Sequence, residues 1–133
     1  MKVRWSRDSL RLRITPSELA IITRGDEVGQ ELRVPGGACW RVAVASGAQT
    51  GLLSQDQAVQ VVLSQADRER LAQPEAEGVY FQTPDGLRYY VEKDFPCAHP
   101  RVAEALEPAT ETFDAPQGFE ERKLETETEI HGD

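Results

Sequence analysis

Apolar and polar side chains alternate with a period of two along most of this chain up to Lys93, the pattern of strands with one buried and one wet face. Val3 and Trp5 alternate with Lys2 and Arg4. Leu10, Leu12 and Ile14 alternate with Arg11 and Arg13. Glu27 to Val34, Cys39 to Ala45, Ala58 to Leu63, Gly78 to Thr83 and Leu87 to Lys93 read as further strands, with a short one at Leu52 and Leu53. Two breaks in the alternation carry helix-start chemistry. Thr15-Pro16-Ser17-Glu18 supplies a capping hydroxyl, a proline suited to the first helical position and a glutamate that completes a capping box. The helix it predicts ends at Gly25, as a left-handed cap would end it. Ser64 and Asp67 start a second helix, Leu71 lies on its apolar face, and Pro74 stops it. Pro35-Gly36-Gly37 and Pro84-Asp85-Gly86 are turns.

The same order of elements comes twice. Thr15 matches Ser64, Glu18 matches Asp67, Ile22 matches Leu71 and Pro35 matches Pro84, all at an offset of 49. Each half reads β-α-β-β, with an extra strand in front at Lys2 to Trp5 and at Gly51 to Ser54. The fold class expected is α+β: two β-α-β-β repeats, about 1–49 and 50–97, forming a small, mostly antiparallel barrel or sandwich with two short helices in a single domain over 1–106. Closure into a barrel would remove the edge strands, and the alternative is an open sandwich of the same elements. The order of elements resembles that of AbrB- and MraZ-like swapped-hairpin barrels. The likeness is one of topology and implies no activity.

Charge changes the picture at the C-terminal end. The 133-residue chain carries a net charge of −8. Residues 1–64 hold eight Lys/Arg and six Asp/Glu, whereas residues 101–133 hold three and ten. Residues 107–133, rich in Glu and Thr with few apolar side chains, read as an acidic disordered tail. Overall acidity disfavours nucleic acid, whose non-specific binding needs clustered cations. No apolar run is long enough to span a membrane, and the first residues show no signal-peptide core. Two cysteines, Cys39 and Cys97, are too few for a disulfide scaffold, so a cytoplasmic location is expected.

The most distinctive string is Val91-Glu92-Lys93-Asp94-Phe95-Pro96-Cys97-Ala98-His99. It resembles the Glu-Lys-Asp-Phe-x-Cys signature of an uncharacterised bacterial family, a domain of unknown function, and the resemblance extends over about residues 1–97. It implies no activity. Chemically, Asp94, Cys97 and His99 offer a metal site or a thiol with a neighbouring base. A structural zinc site needs four ligands, however, and only Cys39, His131 and carboxylates remain to complete it. Glu92 and Asp94 stand two apart at a strand end, and paired carboxylates there suit acid–base work or cation binding. In the plainer packing alternative, Phe95 and Cys97 lie beneath the sheet, Asp94 caps a turn, and the carboxylates are a solvated strand end.

The stronger lead is basic. Arg4, Arg11 and Arg13 fall on the polar sides of two neighbouring strands, and Arg41 and Arg33 are expected to join them near Trp5 and Trp40. Such a cluster binds phosphate or carboxylate, or simply keeps a sheet face wet. The function expected is a binding or interaction module whose partner is a protein or an anionic small molecule, with the acidic tail as an internal competitor. A closed barrel predicts a monomer and an open arrangement a homodimer through Val3 and Trp5. Alternatives are a small enzyme or metal-binding protein using Asp94, Cys97 and His99, or a transcriptional regulator by analogy with the barrel group. No motif calls for a cofactor or for a catalytic residue.

Overall fold

The computed structural model describes residues 1–95, 112–114 and 116. Among these residues, strands form where the alternation places them and helices where the caps do. The elements are β1 (Lys2–Ser6), β2 (Ser9–Ile14), α1 (Pro16–Thr23), β3 (Val28–Arg33), β4 (Cys39–Ser46), β5 (Gly51–Gln55), β6 (Ala58–Leu63), α2 (Gln65–Ala72), β7 (Gly78–Gln82) and β8 (Arg88–Lys93). The capping box of α1 is complete. The Glu18 amide donates to Thr15 Oγ1 at 3.2 Å, and the Thr15 amide donates to Glu18 Oε1 at 2.9 Å. Gly25, at φ +93°, takes the left-handed turn that ends the helix. At α2 the Asp67 amide donates to Ser64 Oγ at 3.2 Å. The Asp67 carboxylate accepts from Ser64 Oγ at 3.1 Å and from the Thr50 hydroxyl. The helix start is therefore tied to the loop before β5.

The strands make two four-stranded sheets: sheet A, in the order β1-β2-β8-β7, and sheet B, in the order β3-β4-β6-β5. Hairpins β1–β2, β3–β4, β5–β6 and β7–β8 are antiparallel, while β2 pairs β8 and β4 pairs β6 in parallel. Each sheet thus takes one hairpin from each half of the chain. Helix α1 carries the chain from sheet A to sheet B, and α2 carries it back. No strand of one sheet pairs with a strand of the other among the described residues. Of the two arrangements expected, the structure is therefore the open α+β sandwich and not the closed barrel.

The inward faces of both sheets and one residue from each helix share a single core. Leu12, Ile14, Val44, Val61, Leu63 and Val91 are fully buried with Ile22 of α1 and Leu71 of α2. Each such side chain contributes roughly 1.5–3 kcal/mol by leaving water. Ile22 and Leu71 are the pair matched in the sequence at an offset of 49. No helix among the described residues is long and apolar enough to cross a membrane.

Met1–Lys93 forms one compact unit, and a second begins at Asp94. In the second unit the Phe113 amide donates to the Asp94 carbonyl at 2.9 Å, and the Phe95 and Phe113 rings lie 5.9 Å apart. Phe113 falls within the stretch read as a disordered tail. As one of its few apolar residues, it finds an aromatic partner at Phe95. Apart from 112–114 and 116, residues 107–133 lie outside the described residues.

Candidate functional site

Register and burial together decide which side chains share the outer face of sheet A. Leu10, Leu12 and Ile14 of β2 and Tyr89 and Val91 of β8 are buried inward, so the residues between them face out. Three rows then cross the four strands. They are Lys2–Arg13–Glu92–Gly78, Arg4–Arg11–Tyr90–Tyr80 and Ser6–Ser9–Arg88–Gln82. Arg4, Arg11 and Arg13, the residues singled out in the sequence, do come together here. The structure adds Lys2, Arg88, Tyr80 and Tyr90.

The face holds five cations and one carboxylate. Two pairs of like charges stand directly opposite each other across β1 and β2: Lys2 with Arg13, and Arg4 with Arg11. Glu92 accepts from Arg11 Nε at 3.0 Å. Among the described residues no carboxylate forms an ion pair with Arg4, Arg13 or Arg88. Beside these cations the rings of Tyr80 and Tyr90 lie 5.4 Å apart and tilted at 57°. Tyr80 is 53% exposed. Its hydroxyl is pushed up to about 12, first by burial and then by the carboxylates of Glu92 and Glu77, so it stays a neutral phenol. Past Tyr80, the edge of β7 borders an open depression of about 350 Å³ lined by Arg70, Gln73, Glu75, Ala76 and Gly78. Gly78 has no substitute in this row. A Cβ there would lie 2.7 Å from the Val91 carbonyl oxygen and 3.0 Å from Glu92 Cα.

The outer face of sheet B is a built-in comparison, because the same strand plan carries different side chains. Its matching rows are Gly51–Val62–Ala45, Leu53–Gln60–Ala43–Gly29 and Gln55–Ala58–Arg41–Glu31. Arg41 therefore does not join the other arginines. It donates from Nη2 to Glu27 at 2.7 Å and from Nη1 to Glu31 at 3.4 Å. The hydrogen bond to Glu27, ahead of the opposing effect of desolvation, holds its pKa above the ordinary value. Arg33 is also on sheet B, 3.6 Å from Glu31. Trp5 and Trp40 do not flank the arginines either. Trp5 pairs with inward Leu10 and Trp40 with Leu32, at the exposed ends of the inner faces.

The signature string has structural duties as far as it is described. Glu92 holds Arg11. Lys93 is buried and donates from Nζ to the Gln73 carbonyl at 2.6 Å, just past the C-terminal end of α2. Burial lowers its pKa against the pull of Glu75. Asp94 is buried, just past the end of β8. Cys97, His99 and His131 lie outside the described residues. Among the described residues, no group of three His, Cys, Asp or Glu side chains is placed to hold a metal ion. Cys39 is a half-buried free thiol at the start of β4.

A protein-family model described as a family of unknown function matches residues 1–117, which extends past residue 97, the limit of the resemblance seen in the sequence. No curated protein and no solved structure matches the chain.

Proposed function

The chain belongs to this family of unknown function, DUF7009, and we propose that it is a binding module that takes an anionic partner on the outer face of sheet A. Arg4 directly opposite Arg11, with Arg13 and Arg88 on the same face, carries the proposal. Like charges directly opposite on one sheet face are destabilising. Protection of an exposed edge explains cations on β1, an edge strand. It does not explain Arg11 and Arg13 on β2 or Arg88 on β8, which are interior strands. Sheet B shows that the fold keeps an outer face wet without net charge, since Arg41 and Arg33 are answered there by Glu27 and Glu31. An anion docked on sheet A relieves the repulsion.

The test is titration of the full chain with inorganic polyphosphate across a salt series. Arg4→Glu combined with Arg13→Gln is compared with the same charge changes at Arg24 and Arg33. The sheet A variant is expected to lose roughly tenfold or more in affinity and to show a shallower salt dependence, as follows when fewer counterions are released. The control variant keeps its affinity. Equal affinity for the two variants refutes the proposal.

A further inference from the structure

The cations of sheet A share their face with aromatic rings, and that narrows the partner. A small anion or an acidic side chain needs cations alone. The central row instead runs Arg4–Arg11–Tyr90–Tyr80, from charge to a partly buried Tyr90 and a half-exposed Tyr80 within one strand width. A ligand that uses the whole row presents charge on one side and flat, stackable surface on the other. Nucleotides have that composition, and aromatic residues beside a cationic track are how single strands are held without sequence preference. The depression of about 350 Å³ against Tyr80 leaves room for a base beyond the edge of β7, with Arg70, Gln73 and Glu75 at its wall. The face does not enter the major groove of a duplex. Four strands spaced about 4.8 Å apart make a face about 14 Å across before side chains are counted, too wide for a major groove of about 12 Å.

Overall acidity counts against nucleic acid, but that acidity lies outside residues 1–93. Residues 1–93 hold twelve Lys/Arg and twelve Asp/Glu. Five of those cations and one of those acids are on this face. The surface a strand would meet therefore carries an excess of cations, although the unit as a whole is neutral.

Resting on the anion-binding reading above, we infer that the partner is single-stranded nucleic acid, with bases stacked on Tyr80 and Tyr90 and phosphates along Arg4, Arg11, Arg13 and Arg88. With four phosphates engaged, the logarithm of affinity falls against the logarithm of salt with a slope of about −3.

The experiment is fluorescence anisotropy of the full chain with labelled oligouridylate, its deoxy counterpart and a duplex of equal length, with inorganic polyphosphate and polyglutamate as competitors. The single strands are expected to bind more tightly than the duplex and to resist both competitors. Tyr80→Ala is expected to weaken single-strand binding by roughly five- to a hundredfold while leaving polyphosphate binding unchanged. Tyr80→Phe, which keeps the stacking face, retains affinity. Tyr80→Leu, which keeps apolar bulk on the strand without that face, loses it. Thermal unfolding of each variant confirms that the sheet is intact. If Tyr80→Ala and Tyr80→Leu bind single strands as well as the parent, or if polyphosphate, polyglutamate or the duplex binds as tightly, the inference is overturned and the face is an anion site of another kind. If no anion binds and the arginine variants change nothing, the anion-binding reading falls with it.

Discussion

Replacing Arg4 with glutamate tests whether the charge on sheet A is kept at the expense of stability. Arg4 is on edge strand β1, exposed, directly opposite Arg11 and diagonal to Arg13. The change converts a like-charge cross-strand pair into an opposite-charge pair. The new opposite-charge pair is worth roughly 0.2–1 kcal/mol and the like-charge repulsion, already softened by Glu92 on Arg11, is removed with it, so Arg4→Glu is expected to stabilise the protein by up to about 1 kcal/mol. For a domain of this size that raises the melting temperature by about 4–8 °C. Facing side chains stand about 5 Å apart, well inside the screening length of about 10 Å at 0.1 M salt but not that of about 3 Å at 1 M. Calorimetry at low and high salt should therefore show a gain that fades as salt is added. The same variant should bind polyphosphate less tightly. Stability rising while binding falls marks a site held for a partner rather than for the fold. An unchanged or lower melting temperature at low salt, or a gain indifferent to salt, would refute the electrostatic account of this face.

Three further outcomes are expected. Desolvation raises the Asp67 pKa, but the hydroxyls of Thr50 and Ser64 and the charge of Arg70 outweigh it, so the folded value lies below the ordinary 3.8. Its contribution to stability is present above that ordinary value and lost as pH falls through the folded one; Asp67→Asn should be less stable than the parent at neutral pH by about 1–3 kcal/mol, and urea unfolding in acid should show the difference closing. Gly78→Ala forces a methyl onto the Val91 carbonyl and the Glu92 backbone and should cost about 1–3 kcal/mol as overpacking, read as a lower urea midpoint. Ultraviolet difference titration against Tyr80→Phe should place the Tyr80 phenol at about 12, and a value near that of free tyrosine would show that its hydroxyl is fully solvated.

Most elements were legible in the sequence because their causes are local. Thr15, Pro16 and Glu18 specify a helix start within four residues, and Pro84-Asp85-Gly86 specifies a turn within three. Which strands become neighbours is not a local property. Arg41 resembles Arg11 in its own strand, and only the pairing of β4 with β3 and β6 separates the two. The tyrosines were overlooked for a related reason. Tyr89 and Tyr90 are consecutive, and nothing in Leu87-Arg88-Tyr89-Tyr90-Val91 says which of them faces out until Val91 is known to pair with core residue Leu12. The period-two rule did contain one signal left unused: Trp5 follows Arg4 directly on a strand and so belongs to the opposite face.

Sheet B is drawn from one continuous stretch, Val28 to Leu63, whereas sheet A joins the two ends of the first unit, with Ser9 beside Arg88, 79 residues later. Short loops close before long ones, because the entropy lost grows with the chain between the partners. Sheet B is therefore expected to assemble first. The cationic row on β1 and β2 meets its tyrosines only when β7 and β8 arrive. On a growing polypeptide the complete surface cannot exist until Lys93 has left the ribosome, so a chain cut short before β7 presents arginines without a stacking platform. If the proposed partner is taken on this face, its recognition requires β1, β2, β7 and β8 together and so the whole of residues 1–93.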